Sequence, residues 1–323
     1  MLSLEEARRI RFETGDGDED KPNFLGIKEF HDFDLNEIKK FIDWTPFFRG
    51  WGLKGKYPSI FQKGRVGPEA ERLFEEAHTL LEDICERNLL RPKGVIGLFP
   101  ANARMDDIVI FRDDQRKDVI MTIPMLRQQQ KRNGQSCTLS LADYLAPLES
   151  GRKDYIGSFA VTTGSDIEQY LDSLKNNGDS YNSIMGRLIS DRLVEAAAEM
   201  MHEWVRKKYW GYDPGEDLSM DDRIKGKYRG IRPAIGYPAC PDHCTELYLF
   251  ELLQVEERIG ISLTESYSMK PASSISGLYF SHNASRYFGI GKIGRDQMTD
   301  YAKRMGQNVN STKKRLFFAI DYK

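Results

Sequence analysis

The longest periodic stretch of the chain spans residues 181–209. Ile189, Leu193, Ala196, Ala197, Met200 and Trp204 recur there at the 3.6-residue spacing of one helix face. Asp191, Glu195 and His202 fall together on the opposite side, in a stripe shared with Ile184 and Leu188. That stripe reads either as a solvated charged face or as a docking surface that mixes carboxylates, a histidine and apolar groups. Gly211 is a natural stop. A second amphipathic helix is predicted over 69–89, with Ala70, Leu73, Phe74, Ala77, Leu80, Leu81 and Ile84 on one face and His78 at its edge. Shorter helices are expected over 3–12 (Ser3 and Glu6 as a capping box), from Asp34 to Phe41 with Glu37 completing a box, and from Ser165 with Glu168 to the Asn177-Gly178 stop. Others are expected over Leu126–Gln130, Thr245–Arg258, Asp296–Arg304 and Ser311–Phe318. Apolar, β-branched runs predict strands at 94–99, 107–112, 118–123, 155–162, 261–267, 274–281 and 286–293. Strands and helices come in runs without βαβ alternation. The fold class is therefore α+β: a twisted, mainly antiparallel sheet flanked by helices, with an N-terminal helical segment.

Composition narrows the function. The 323 residues are 40% hydrophobic and 30% charged, with a net charge of −2. Acid and base are interspersed, which excludes the concentrated basic face that nucleic acid requires. Four cysteines, at 85, 137, 240 and 244, are too few for a disulfide framework and point to a reducing, cytoplasmic setting. No run of about 18 apolar residues marks a membrane span. The segment Thr14–Asp20 is acidic, glycine-containing and free of apolar residues, so it reads as a flexible linker. The division expected is residues 1–24 as helix and linker and 25–323 as one domain. A linker so near the start fits a chain that is the end of something longer.

The stretch Arg232-Pro-Ala-Ile-Gly-Tyr-Pro-Ala-Cys-Pro-Asp-His243 holds three prolines in twelve residues. Proline fixes φ and removes a donor, so this is neither a helix nor a central strand. It suits a rigid binding loop. Two other patterns carry less. Gly289-Ile-Gly-Lys-Ile-Gly294 matches the dinucleotide fingerprint, but no second parallel strand or acidic residue follows at the required distance. Cys240, His243 and Cys244 supply half a zinc ligand set, with no separated second pair.

The proline-rich loop resembles the S-adenosylmethionine-binding loop of the activation domain of cobalamin-dependent methionine synthase. Other stretches resemble that family in the same order: Ile42-Asp-Trp-Thr-Pro-Phe-Phe48 with Gly55-Lys-Tyr-Pro58, Gly97-Leu-Phe-Pro-Ala-Asn102, Asp154-Tyr-Ile-Gly157, Arg206-Lys-Lys-Tyr-Trp-Gly-Tyr212, Thr264-Glu-Ser266 and Tyr279-Phe-Ser-His282. The similarity runs from about Leu25 to about Gly306. It implies a ligand with a carboxylate, an ammonium, a sulfonium and an adenine. Arg232 would hold the carboxylate and Asp43 the ammonium. The Ala234–Tyr237 backbone, Gly236 included, would read the adenine. Tyr237, Tyr287 and Phe288 would line the site, with Phe288 standing where the family has a second tyrosine. Two further departures are Lys270, where a tryptophan is usual, and Gly226, where some relatives are acidic.

The resemblance also implies a task. The domain would support reductive methylation of cob(II)alamin to methylcobalamin, with cobalamin held by a separate corrinoid-binding domain and an electron from flavodoxin or an equivalent reductase. Asp191 and Glu195 match positions that meet the corrinoid domain. The chain has no corrinoid-binding signature and no zinc cluster for homocysteine, so alone it should bind S-adenosylmethionine and turn over nothing. It would be an excised part of the enzyme or a separate activation subunit. The rival reading is a non-catalytic S-adenosylmethionine sensor or docking module on the same scaffold.

Overall fold

Two long strands carry the sheet. Apolar residues are nearly continuous over 95–103 and 155–161, the pattern of strands covered on both faces. In the computed structural model, which describes residues 1–15, 20–130 and 134–321, these runs form β2 and β5. Part of the expected linker, residues 16–19, therefore lies outside the described residues. The strands are β1 (Gly26–Phe30), β2 (Lys93–Arg104), β3 (Asp107–Phe111), β4 (Val119–Pro124), β5 (Asp154–Thr162), the short ribbon β6 (Ser262–Leu263) and β7 (Met269–Lys270), and β8 (Ser274–Tyr279). β2 and β5 pair antiparallel from Lys93↔Thr162 to Ala101↔Asp154. On its other edge β2 meets β1 along its first half and β3 along its second, and β4 lies beyond β3. β8 pairs with the far side of β5 and ends the order β4-β3-β2-β5-β8. Every pairing in this six-stranded sheet is antiparallel, as expected.

Alternation along the strands sends side chains into two cores. Ile96, Leu98, Phe159, Val161 and Tyr279 join the helices α4 (Gly67–Glu86), α5 (Asp166–Asn176) and α6 (Ser180–Trp204), and Trp44, Phe47 and Phe48 close this core near α2 (Leu35–Lys39) and α3 (Thr45–Gly50). His78 stacks on Trp44 in the same aromatic group. Val95, Phe99, Ile156, Ala160, Leu278 and Phe280 point the other way, onto α8 (Glu246–Leu253) and α9 (Val255–Ile259). The remaining helices are α1 (Leu4–Arg9), α7 (Met220–Ile224), α10 (Arg295–Arg304) and α11 (Val309–Arg315). α1 starts with the expected Ser3–Glu6 capping box and is tied down by Arg8, whose guanidinium meets Asp106 at 2.7 Å and Asp300 at 2.9 Å. Among the described residues, no helix is long and apolar enough to cross a membrane.

Several expectations are corrected, some because a distant partner took the backbone or the side chain and others because of a local turn or pairing. Leu126–Gln130 is extended, since the Arg127 amide donates to Gln297 Oε1 (2.7 Å) and Gln297 Nε2 donates back to the Arg127 carbonyl (2.9 Å). Residues 286–293 are not a strand: the Ile290 amide donates to Pro238 (2.8 Å) and that of Ile293 to Ala319 (2.8 Å), so the segment lies across the loop. The expected strand 261–267 shrinks to β6, because Thr264 turns the chain by accepting from the Tyr267 amide. The helix after 245 breaks at Gln254, whose φ is 52°. Asp34 caps α2, but Glu37 pairs with Lys40 and completes no box. Ser165 makes no side-chain cap, and Glu168 accepts instead from the Ala272 amide.

One buried acid gives the fold a pH dependence. Glu246, at the start of α8, is 1% exposed and accepts a hydrogen bond from the Ser276 hydroxyl under β8. Burial pushes its carboxyl from 4.5 up to about 7, against the opposing pull of that hydrogen bond. Between those values the folded chain holds a proton that the unfolded chain releases, so stability falls as pH rises through the window, by on the order of 3 kcal/mol. Glu246→Gln should remove this loss. Urea unfolding at pH 5 and pH 8 checks it: the variant should gain on the wild type at pH 8, and a difference independent of pH would refute the assignment.

Candidate functional site

The proline-rich loop is laid on the free edge of β8. The Ile231 and Phe280 amides each donate to the other's carbonyl at 3.0 Å, the Leu278 amide donates to Pro233 (3.1 Å), and the Ile235 amide donates to Ser276 (3.3 Å). An outermost strand can carry prolines, because their missing N–H groups have no further neighbour to satisfy. Gly277 makes the approach possible: a Cβ there would sit 2.5 Å from the Pro233 carbonyl oxygen. Beyond Ala234 the chain turns at Gly236, whose φ of 85° and close contact with His243 leave no room for a side chain. The Gly236 amide donates to Cys240 (2.8 Å) and the Cys240 amide to Tyr237 (2.9 Å), closing the turn.

A cleft of about 900 Å³ opens between this loop, α6, α7 and the turn before α3. It brings together Asp43, Glu195, Arg232, Ala234, Tyr237, Tyr287 and Phe288. Gly236 does not line it and acts through the turn. Asp191 lies outside it, in an adjoining recess of about 330 Å³ that also borders Glu195, Ala234, Tyr237 and His243. Gly226 lines the cleft, whereas Lys270 is exposed on β7.

Charges in the cleft are mixed. Asp43 Oδ1 accepts from the Thr45 amide (2.9 Å), and Asp43 Oδ2 has no hydrogen-bond partner among the described residues. The Arg232 amide donates to the Tyr287 hydroxyl (3.1 Å). Its guanidinium donates through Nη2 (3.0 Å) and Nε (3.3 Å) to Glu199 and lies 3.9 Å from Glu195, with Nη1 unpaired among the described residues. Burial alone would lower the Arg232 pKa, but Glu199, Tyr287, Tyr228 and Glu195 outweigh it and hold the group above the usual arginine value. The Tyr237 hydroxyl faces Glu195 (3.4 Å), and that carboxylate, with burial, raises its pKa. The Ala234 amide has no hydrogen-bond partner among the described residues.

Glu199 was missed in the sequence. The signal was there: Asp191, Glu195, Glu199 and Glu203 recur every four residues and so share one side of a helix. Glu199 takes Arg232, and Glu203 takes Arg223 (2.7 Å). His202 belongs to the same side but not to a docking surface. It is fully buried, stacked on Tyr279 at 5.1 Å and edge-on to Tyr228 at 5.0 Å. Burial, then Arg206 and Arg232, hold its pKa well below the usual histidine value. The stripe runs from solvent at Asp191 to interior at His202 because Tyr228 and β8 cover its far end. Cys240 and Cys244 are also buried, and the Cys244 sulfur accepts from Gln307 Nε2 at 3.0 Å.

Fold and site together define an antiparallel α+β domain built around one cleft of mixed charge and aromatic walls. Residues 34–306 match the family described as vitamin B12 dependent methionine synthase, activation domain, and the chain belongs to that family. The crystal structure of the MetH reactivation domain bound to AdoHcy superimposes with a TM-score of 0.95 and 44% sequence identity, covering 100% of this chain and 99% of that one.

The close packing at Gly277 is testable. Gly277→Ala forces the Pro233 carbonyl off β8, and overpacking of this kind costs about 1–3 kcal/mol. Urea denaturation should show that loss, and an unchanged midpoint would mean that the loop is not held by the sheet edge.

Proposed function

We propose that this chain binds S-adenosylmethionine in the cleft and supports reductive methylation of cob(II)alamin to methylcobalamin, reactivating a cobalamin-dependent methionine synthase. The observation that carries the reading is the convergence of Arg232, Asp43 and the aromatic residues of the loop region on one cavity. Arg232 Nη1 is available to a carboxylate, and its planar fork suits that partner. Asp43, with one oxygen capping a turn and the other unpaired, takes the ammonium. The Ala234 amide offers a donor to the adenine. Tyr237 and Tyr287 present aromatic faces to the sulfonium. Phe288 offers apolar wall without the hydroxyl of a second tyrosine.

When bound, S-adenosylmethionine supplies an electrophilic methyl group. The residues of this chain bind and orient it, a task of positioning that requires no general base. Asp191 and Glu195 face the corrinoid-binding domain, flavodoxin or an equivalent reductase supplies the electron, and the setting is cytoplasmic. Support for the reading comes from the family membership and from the AdoHcy-bound relative.

Calorimetric titration of S-adenosylmethionine into the wild type should give one saturable site. Arg232→Ala and Asp43→Ala should each weaken it by about tenfold or more, the scale of a charge-assisted hydrogen bond. Absence of binding by the wild type would overturn the reading. Asp191→Asn should leave this affinity unchanged and weaken association with a cobalamin-loaded corrinoid-binding domain, measured by the same method. Equal association of variant and wild type would remove Asp191 from the docking surface.

A further inference from the structure

From the cleft wall inward, four charged side chains alternate in sign. Arg232 meets Glu199 Oε2 at 3.0 Å, Glu199 Oε1 lies 3.9 Å from Arg206 Nη1, and Arg206 Nη2 meets Glu216 Oε1 at 2.7 Å. The chain is complete except at its middle. Glu199 Oε1 and Arg206 Nη1 are both buried and, among the described residues, neither has a hydrogen-bond partner. A buried oxygen and a buried N–H of opposite charge, left unpaired, each carry a desolvation cost. Shortening their separation by roughly 1 Å would give an ordinary charge-assisted hydrogen bond. Glu199 is therefore shared between two arginines and is fully bonded to only one.

We propose that Glu199 is an exchangeable counter-ion: when a ligand carboxylate engages Arg232 with both its oxygens, through the free Nη1 and through Nη2, Glu199 gives up Nη2 and transfers its bond to Arg206 Nη1. The cleft then has a resting state, in which Arg232 is neutralised and held in place by Glu199, and a ligand-bound state, in which both orphaned groups are satisfied. The competition lowers affinity for carboxylate-bearing ligands and eases their release. A ligand without a carboxylate leaves the Arg232–Glu199 pair untouched.

This inference rests on the proposal that the cleft takes a ligand with a carboxylate. The test compares AdoHcy with its decarboxylated analogue, 5′-(3-aminopropylthio)-5′-deoxyadenosine, which keeps the adenosine, thioether and ammonium but lacks the carboxylate, on the wild type and on Glu199→Gln. Removing the competing charge frees the fraction of Arg232 withheld from the ligand, so the variant should bind AdoHcy roughly three- to tenfold more tightly. Its affinity for the decarboxylated analogue should not rise. A crystal structure of the wild type with AdoHcy should place Glu199 Oε1 within hydrogen-bonding distance of Arg206 Nη1. Weaker AdoHcy binding by Glu199→Gln would make Glu199 a mere support for Arg232, and an equal change for both ligands would mean a reshaped cleft. Either result overturns the exchange while leaving the binding site in place. Failure of the wild type to bind either ligand would overturn both.

Discussion

The cleft exists because a chain segment that cannot be a proper strand is nevertheless held by a sheet edge. Among the described residues, four backbone hydrogen bonds join the segment at Ile231, Pro233 and Ile235 to β8 and to Phe280 just after it. They suffice because Pro233 and Pro238 restrict the loop before it docks, which reduces the entropy lost on ordering it. Gly277 admits the loop, Gly236 turns it, and the 287–290 segment crosses over it through Ile290 and Pro238. The position of Arg232, and with it the charge pattern of the cavity, follows from this pairing.

Helix α6 supplies the other wall. Its apolar side is buried against β5, β8 and α4, as its 3.6-residue period requires. Its acidic side is graded. Asp191 is exposed, Glu195 borders both cavities, Glu199 is committed to Arg232, and Glu203 to Arg223. One helix face thus passes from a surface that suits docking to an interior that sets the electrostatics of the cleft. The helix ends in a π-helical turn, Val205–Tyr209, that places Arg206 behind Glu199, before Gly211 stops it at a φ of 83°.

Much of this was legible in the sequence where the signal is local and strong. The amphipathic period found α4 and α6, and continuous apolar runs found β2, β3, β4, β5 and β8. The proline-rich loop announced itself by composition. What was not legible depended on partners distant in the chain. Residues 286–293 have the composition of a strand, but their amides are used by the loop and by the C-terminal segment. Leu126–Gln130 has helical residues, but Gln297 claims its backbone. The resemblance named Arg232 and Asp43 without showing that Arg232 already has a counter-ion. Glu199 followed from extending an i, i+4 series that the sequence reading stopped at Glu195. The burial of His202 could not follow from periodicity, since the face is the same and only its cover changes.

The central claim is that the edge-held loop, and the segment crossing it, form the binding element. Backbone amide exchange with and without saturating S-adenosylmethionine tests it most directly. The account predicts slower exchange on binding at residues 231–240 and 287–290, with α10 and α11 unchanged. Calorimetrically verified binding that leaves 231–240 as fast as in the free chain would contradict it.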